Sequence, residues 1–150
     1  MDTIMDLREQ MINDLENTYR GQVEDEKLDE TIASLKAAST RYNATGSIIG
    51  AFFYTRITAQ ITDGAYPKYR KTFTGNGGGI AFPGAAALVG HIYTDSVEKM
   101  YAETKRFQIT FAPAYTYILF LDENSKVVGH FQAGSVSTTA GIAGGTGEWG

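Results

Sequence analysis

Apolar positions along the chain follow two different periods, and the change between them falls just after residue 40. Near the N-terminus Ile4, Leu7, Met11 and Leu15, with Ile12 beside them, recur at three- and four-residue spacing. That spacing puts them on one side of a helix. Asp2 is placed to cap its start, and Gly21 to supply the left-handed residue after its end. Leu28, Ile32 and Leu35 form a second stripe, with Asp25 as its candidate cap. Asp29 and Glu30 lie early in that helix, where the dipole favours negative charge. Each stripe is too narrow for a helix buried all round. The two helices are therefore expected to pair as a hairpin, pack on the rest of the chain, or bind a partner.

Arg41 to Gly46 reads as a linker, and the pattern beyond it is that of strands. Ser47 to Thr62 is rich in Ile, Phe, Tyr and Thr, and Asp63-Gly64 and Pro67 punctuate its end. Further strand-like segments follow at about 68–75, 78–82, 85–94, 106–112, 114–121, 126–133 and 136–149. Asp122-Glu123-Asn124-Ser125 is a hairpin turn. One interruption is helical, Asp95 to Glu103, with Asp95 or Ser96 as cap and Val97, Met100 and Tyr101 on one face. The organisation predicted is an acidic helical arm over 1–44 and a β domain over 45–150.

Sliding the chain by 57 positions brings Gly77 onto Gly134, Gly84 onto Gly141 and Gly90 onto Gly147, with Ile61 on Ile118 and Tyr54 on Phe111. This predicts two similar four-stranded units, one on each side of the short helix. Their glycines would mark places where strands bend hard or pass close together. Two such units closing on each other make a barrel.

Composition agrees. Nine Tyr, 8 Phe and 17 Gly suit half-buried strands and close backbone approach. At 150 residues the chain can bury roughly 70% of its unfolded surface without staples. The absence of Cys excludes thiolate catalysis, Cys-based zinc sites and disulfides. Net charge is −4, unevenly placed: residues 1–44 carry 5 Lys and Arg against 10 Asp and Glu, and the remainder 8 against 7. Such a balance argues against nucleic acid as a partner, since Lys68, Arg70 and Lys71 make only a small basic patch. No stretch reaches the ~20 apolar residues of a membrane-spanning helix, and residues 1–6 do not begin a conventional secretory signal.

The second half carries a specific resemblance. The run Gly77 to Gly90 (GGGIAFPGAAALVG), then Ile92-Tyr93-Thr94-Asp95, the short helix through Tyr101 and Phe107-Gln108, resembles the virulence-associated Vap proteins of rhodococci. The closing run Val128 to Thr138, ending in Gly144 to Trp149, is its most diagnostic part, and the likeness reaches back more weakly through Ile48 to Arg56. The resemblance implies a mainly β fold: a closed eight-stranded antiparallel barrel of two Greek-key units, here preceded by a helical hairpin. It also implies a secreted effector acting at the host phagosome or endolysosome. Some members are linked to acidic-phospholipid association, and there is no established catalytic activity or agreed site. Family members begin with a signal peptide and a variable polar segment. This chain opens on two candidate helices instead, which is expected to mean a cytoplasmic protein exported by a signal-independent route.

No residue pattern reads as an active site. Gly145-Thr146-Gly147-Glu148-Trp149-Gly150 matches G-x-G-x-x-G but has no helix after it, and Gly75 to Gly79 lacks the lysine of a phosphate loop. His91 and His130 lie in strand segments. If Phe131 points inward, alternation leaves His130 exposed. Ser135 to Thr139 is a strand-like Ser/Thr run with no nucleophile elbow. Asp122 and Glu123 belong to turn chemistry, and Asp95 to a helix cap. No catalytic, cofactor-binding or metal-binding residue is assigned, and no cofactor is expected.

Tyr115, Tyr117 and Leu119 alternate with Thr116, Ile118 and Phe120, so one set looks outward. Tyr115, Tyr117 and His130 are the candidate surface contacts. The function expected is a non-enzymatic effector-type barrel binding a host protein or an acidic-lipid membrane. The alternatives are a leaderless toxin or cargo domain, with residues 1–40 contacting secretion machinery, and an enzyme with a cryptic site at His91 or His130.

Overall fold

The structure is a computed structural model. It describes residues 9, 12–13, 15–17, 20–21, 24–37, 40–51, 54–63, 70–79, 84–112, 115–134 and 141–150. Helix α1 (Asp25–Ala37) is followed by four strands, β1 (Arg41–Ala51), β2 (Tyr54–Ile61), β3 (Thr72–Gly79) and β4 (Gly84–Tyr93). A short helix α2 (Val97–Glu103) leads to β5 (Arg106–Phe111), β6 (Thr116–Leu121), β7 (Val127–Ala133) and β8 (Gly141–Trp149). Ahead of α1, Ile12, Asn13, Leu15, Glu16 and Asn17 are also helical.

The strands close in the order β1-β2-β3-β8-β5-β6-β7-β4, every pair antiparallel. Each half is a Greek key: β4-β1-β2-β3 and β8-β5-β6-β7 share the order fourth, first, second, third. The halves meet at two seams, β3 with β8 and β4 with β7. The 57-residue offset is visible in this frame. Gly84 and Gly141 each open the fourth strand of a unit, and Gly90 and Gly147 each lie on a seam.

Period-two alternation fills the interior. Ile48, Ile57, Phe73, Leu88, Ile92, Phe107, Ile109, Phe111, Ile118, Phe120 and Phe131 all point in and are buried. Phe73 lies at the centre, edge-on to Phe107 and Phe120 (centroids 5.9 and 5.0 Å) and tilted against Trp149 at 5.5 Å. Each such side chain contributes about 1.5–3 kcal/mol by leaving water. One end of the barrel is plugged by α2, which adds Val97, Met100 and Tyr101 to this core. Its cap is Ser96, not Asp95: Lys99 N–H donates to Ser96 Oγ at 3.1 Å.

The expected linker Arg41 to Gly46 is instead the first half of β1, with Tyr42 and Ala44 buried in the core. Tyr42, Ala44, Gly46 and Ile48 keep the period of two, and pairing to both β2 and β4 outweighs the local turn character of Asn43 and Gly46. The arm therefore gives way to the barrel by Arg41.

The arm lies on the barrel. Ile12, Leu15, Leu28 and Ile32 form a second apolar cluster with Tyr115, Tyr117 and Leu119, flanked by Ala112, Leu121 and Val127. Gly21 has the left-handed conformation expected of it (φ 88°). Arg20 ties the two helices together, bonding Glu16 at 2.7 Å and Asp29 at 2.8 Å, with Asp25 at 3.4 Å. Ile4, Leu7, Met11 and the Asp2 cap lie outside the described residues, as does the side chain of Leu35.

Candidate contact surface

Three outer faces of the barrel carry the candidate residues and the exposed features. On the β6–β7 face, Tyr115, Tyr117 and His130 point away from the barrel interior, as alternation requires, yet none is a free surface residue. Tyr117 is 2% exposed and His130 fully buried. The exposure expected of them is corrected by the arm: α1 packs against β7, and the apolar stripes of the helices cover the tyrosines. Tyr115 and Tyr117 stack at 5.7 Å, with planes 16° apart. The His130 ring stacks on Tyr93 at 4.9 Å, and its Nε2 is 3.1 Å from Gln132 Nε2.

His91 sits on the same side of the barrel, with Gln132 opposite on β7 and Asn43 opposite on β1. Burial pushes its pKa below the ordinary histidine value, and the nearby Arg41 charge adds to the effect. Among the described residues no three His, Asp or Glu side chains come together as a metal cage.

The second face lies over β3, β8 and β5. Gly78 and Gly144 stand side by side there without side chains, opening a shallow groove of about 630 Å³ that Arg106, Gln108, Ile142 and Thr146 also line. The glycines of the G-x-G-x-x-G match lie in β8, where Gly145 faces Gly77 and Gly147 faces Gly75. Strands that pass this closely leave no space for Cβ atoms. Asp122 serves the β6–β7 turn: its Oδ1 accepts from the N–H groups of Asn124 and Lys126 at 2.8 and 2.9 Å, and Ser125 takes φ 63°. Ser135 to Thr139 lies outside the described residues.

The third face, formed by β2, β1 and β4, was not singled out by residue pattern. Cross-strand register places Ile49 beside Ala85 and Arg56, Ser47 beside Ala87, Thr45 beside Val89, and Ala51 beside Tyr54. Val89 is 68% exposed, and Ile49 and Tyr54 are each 49% exposed. The three strands carry Arg41 and Arg56 and no Asp or Glu. Ser47 and Thr58 satisfy each other at 2.7 Å, and Tyr54 donates to Asn76 Oδ1. Isolated exposed apolar residues are ordinary, but several on one face with one sign of charge are not. A sequence signal existed: Ile49, Ala51, Ala85, Ala87 and Val89 fall on the opposite parity to the core residues Ile48 and Leu88.

The model of the family described as Rhodococcus equi virulence-associated protein matches residues 3–150. The chain belongs to that family. The match takes in the helical arm, which the Vap-like segments of the second half had left outside. Among solved structures, the virulence-associated protein VapD of Rhodococcus equi is similar, with TM-score 0.68 and 34% identity over 74% of this chain and 97% of VapD. VapB of the same organism aligns with TM-score 0.65 and 32% identity over 74% of this chain and 96% of VapB. No curated protein matches the chain.

Proposed function

We propose that this Vap family member is an effector-type protein that acts by contact, without catalysis, and that its β2-β1-β4 face binds an anionic membrane surface. The observation that carries this reading is the composition of that face: exposed Ile49, Tyr54 and Val89 on a floor of Ala85 and Ala87, with Arg56 and Arg41 and no carboxylate. Apolar side chains enter the interfacial region of a bilayer while arginines meet lipid phosphates. The interior supports the same reading, because aromatic and aliphatic side chains fill the space a ligand would need.

Flotation with vesicles containing acidic phospholipid, at neutral and at low pH, tests the proposal. The protein is expected to float with these vesicles, to float less with zwitterionic ones, and to lose association when Ile49→Glu and Val89→Glu are combined. No flotation under either condition would remove the membrane reading and leave a host protein as the partner.

A further inference from the structure

The charged side chains of the barrel are sorted along its axis. At the end plugged by α2, strands β1, β3, β5 and β7 begin and β2, β4, β6 and β8 finish. Every Asp and Glu after Arg41 lies toward that end. Asp95, Glu98 and Glu103 surround α2, Asp122 and Glu123 form the β6–β7 turn, Asp63 follows β2, and Glu148 is next to last in β8. Arg41, Arg106 and Lys126 open or precede strands at the same end. At the opposite end Arg56 is the one charged side chain among the described residues of the barrel. In the sequence, the four connections between strand ends on that side, 52–53, 80–83, 112–115 and 134–140, hold no Asp, Glu, Lys or Arg.

Exposed apolar side chains are sorted the opposite way. Among the described residues the large ones are Ile49, Tyr54, Val89 and Ile142. Ile49 lies two residues before the end of β1, Tyr54 opens β2 and Ile142 is second in β8, all at the end away from α2; Val89 lies nearer mid-strand. The outward side of β1 itself runs from Arg41 and Asn43 to Ile49 and Ala51. Ile142 stands outside the β2-β1-β4 face, because β3 separates β8 from β2. The apolar surface therefore belongs to one end of the barrel and not to one wall alone.

We infer that the protein docks on a bilayer with this charge-poor end down and α2 turned away, an orientation that rests on the membrane reading above. Ile49, Tyr54 and Ile142 enter the headgroup boundary, and Arg56, beside Ile49 in register, meets lipid phosphate. Immersing the α2 end would instead strip water from the carboxylates gathered there. The arm biases the tilt. It carries 10 Asp and Glu against 5 Lys and Arg and docks on β6–β7, with β6 across the ring from β2. Leaning toward β1 and β2 keeps that charge away from anionic lipid.

The chain has no Cys, so a single one can be placed and labelled at will. Ala51→Cys, Ile142→Cys, Asn43→Cys and Glu98→Cys variants of the full chain, each carrying a polarity-sensitive NBD fluorophore, are mixed with vesicles containing acidic phospholipid and a spin-labelled quencher lipid. All four positions are exposed. Emission of Trp149, the single tryptophan, packed against Phe73 and Phe120, reports that each variant is folded. Asn43 and Ala51 lie at opposite ends of β1, roughly 20 Å apart along the barrel once strand tilt is allowed for. That exceeds the roughly 5–10 Å depth of the headgroup boundary. Labels at Ala51 and Ile142 are expected to shift to the blue and be quenched, and labels at Asn43 and Glu98 to stay unchanged.

A label at Asn43 that responds as strongly as one at Ala51, with Ile142 silent, would mean that the β2-β1-β4 wall lies flat. That result overturns the orientation and leaves membrane binding standing. Ile142→Glu, outside that wall, is expected to weaken flotation by about tenfold or more with Trp149 emission unchanged. Undiminished flotation of this variant would overturn the orientation as well. A native chain that does not float with the vesicles removes the membrane reading itself, and the orientation with it.

Discussion

Gly77 and Gly145 face each other across the β3–β8 seam, and neither has space for a side chain. A Cβ on Gly77 would run into the Gly144 carbonyl, and one on Gly145 into that of Asn76. Backbone cannot step aside as a side-chain tip can, so Gly77→Ala should cost about 1–3 kcal/mol or more. Gly134→Ala, with open space and ordinary φ, should stay within about 0.5 kcal/mol of the native protein. Urea unfolding followed by Trp149 emission separates the two. Equal stability of both variants would show that the seam can widen.

Phe73→Ala should be among the most damaging core substitutions, at about 3–5 kcal/mol. The ring touches Phe107, Phe120 and Trp149 and is fully buried, so its removal leaves a cavity bounded by rigid rings. Thermal unfolding gives the magnitude. A loss below about 1 kcal/mol would mean that the cluster collapses freely.

Ser96→Ala should cost about 1 kcal/mol by leaving the Lys99 N–H without its cap. Chemical denaturation measures the loss, and an unchanged stability would remove Ser96 as the cap.

His91 makes stability depend on pH in a defined direction. Its pKa is lowered in the folded state, so between that value and the ordinary 6.5 the unfolded chain binds more protons. Stability should therefore fall as pH drops below about 6.5. His91→Gln should flatten that part of the profile, and an NMR titration should place the midpoint below 6.5. A midpoint above 6.5 would refute the sign.

Strand alternation told the two faces of β6 apart correctly: Ile118 and Phe120 point in, while Tyr117 and Leu119 point out. It could not tell that the outward face was covered. Period reports orientation relative to the sheet, and cover depends on a contact between segments roughly 90 residues apart. The clue was the presence of two half-surfaces, an unpaired helix stripe at Leu28 and Ile32 and an apolar strand face at Tyr117 and Leu119, each lacking a partner locally. His130 points outward too, but the Tyr93 ring and Gln132 lie against it and it is buried. The exposed apolar face on β1 and β4 was harder to read, because Ile49 and Val89 resemble core residues until register shows that both look outward. The turn at Asp122 was legible because its chemistry is local and needs only its own backbone.

Each strand in the closed ring already has a bonded neighbour on both sides. Along the registered seams the backbone donors and acceptors are used within the ring, so a visiting strand there would have to displace a native one. Along those seams the ring presents side chains outward. Those side chains can be exchanged from one relative to the next without disturbing the ring. A single frame, shared at 32–34% identity with VapB and VapD, can thus carry different surfaces.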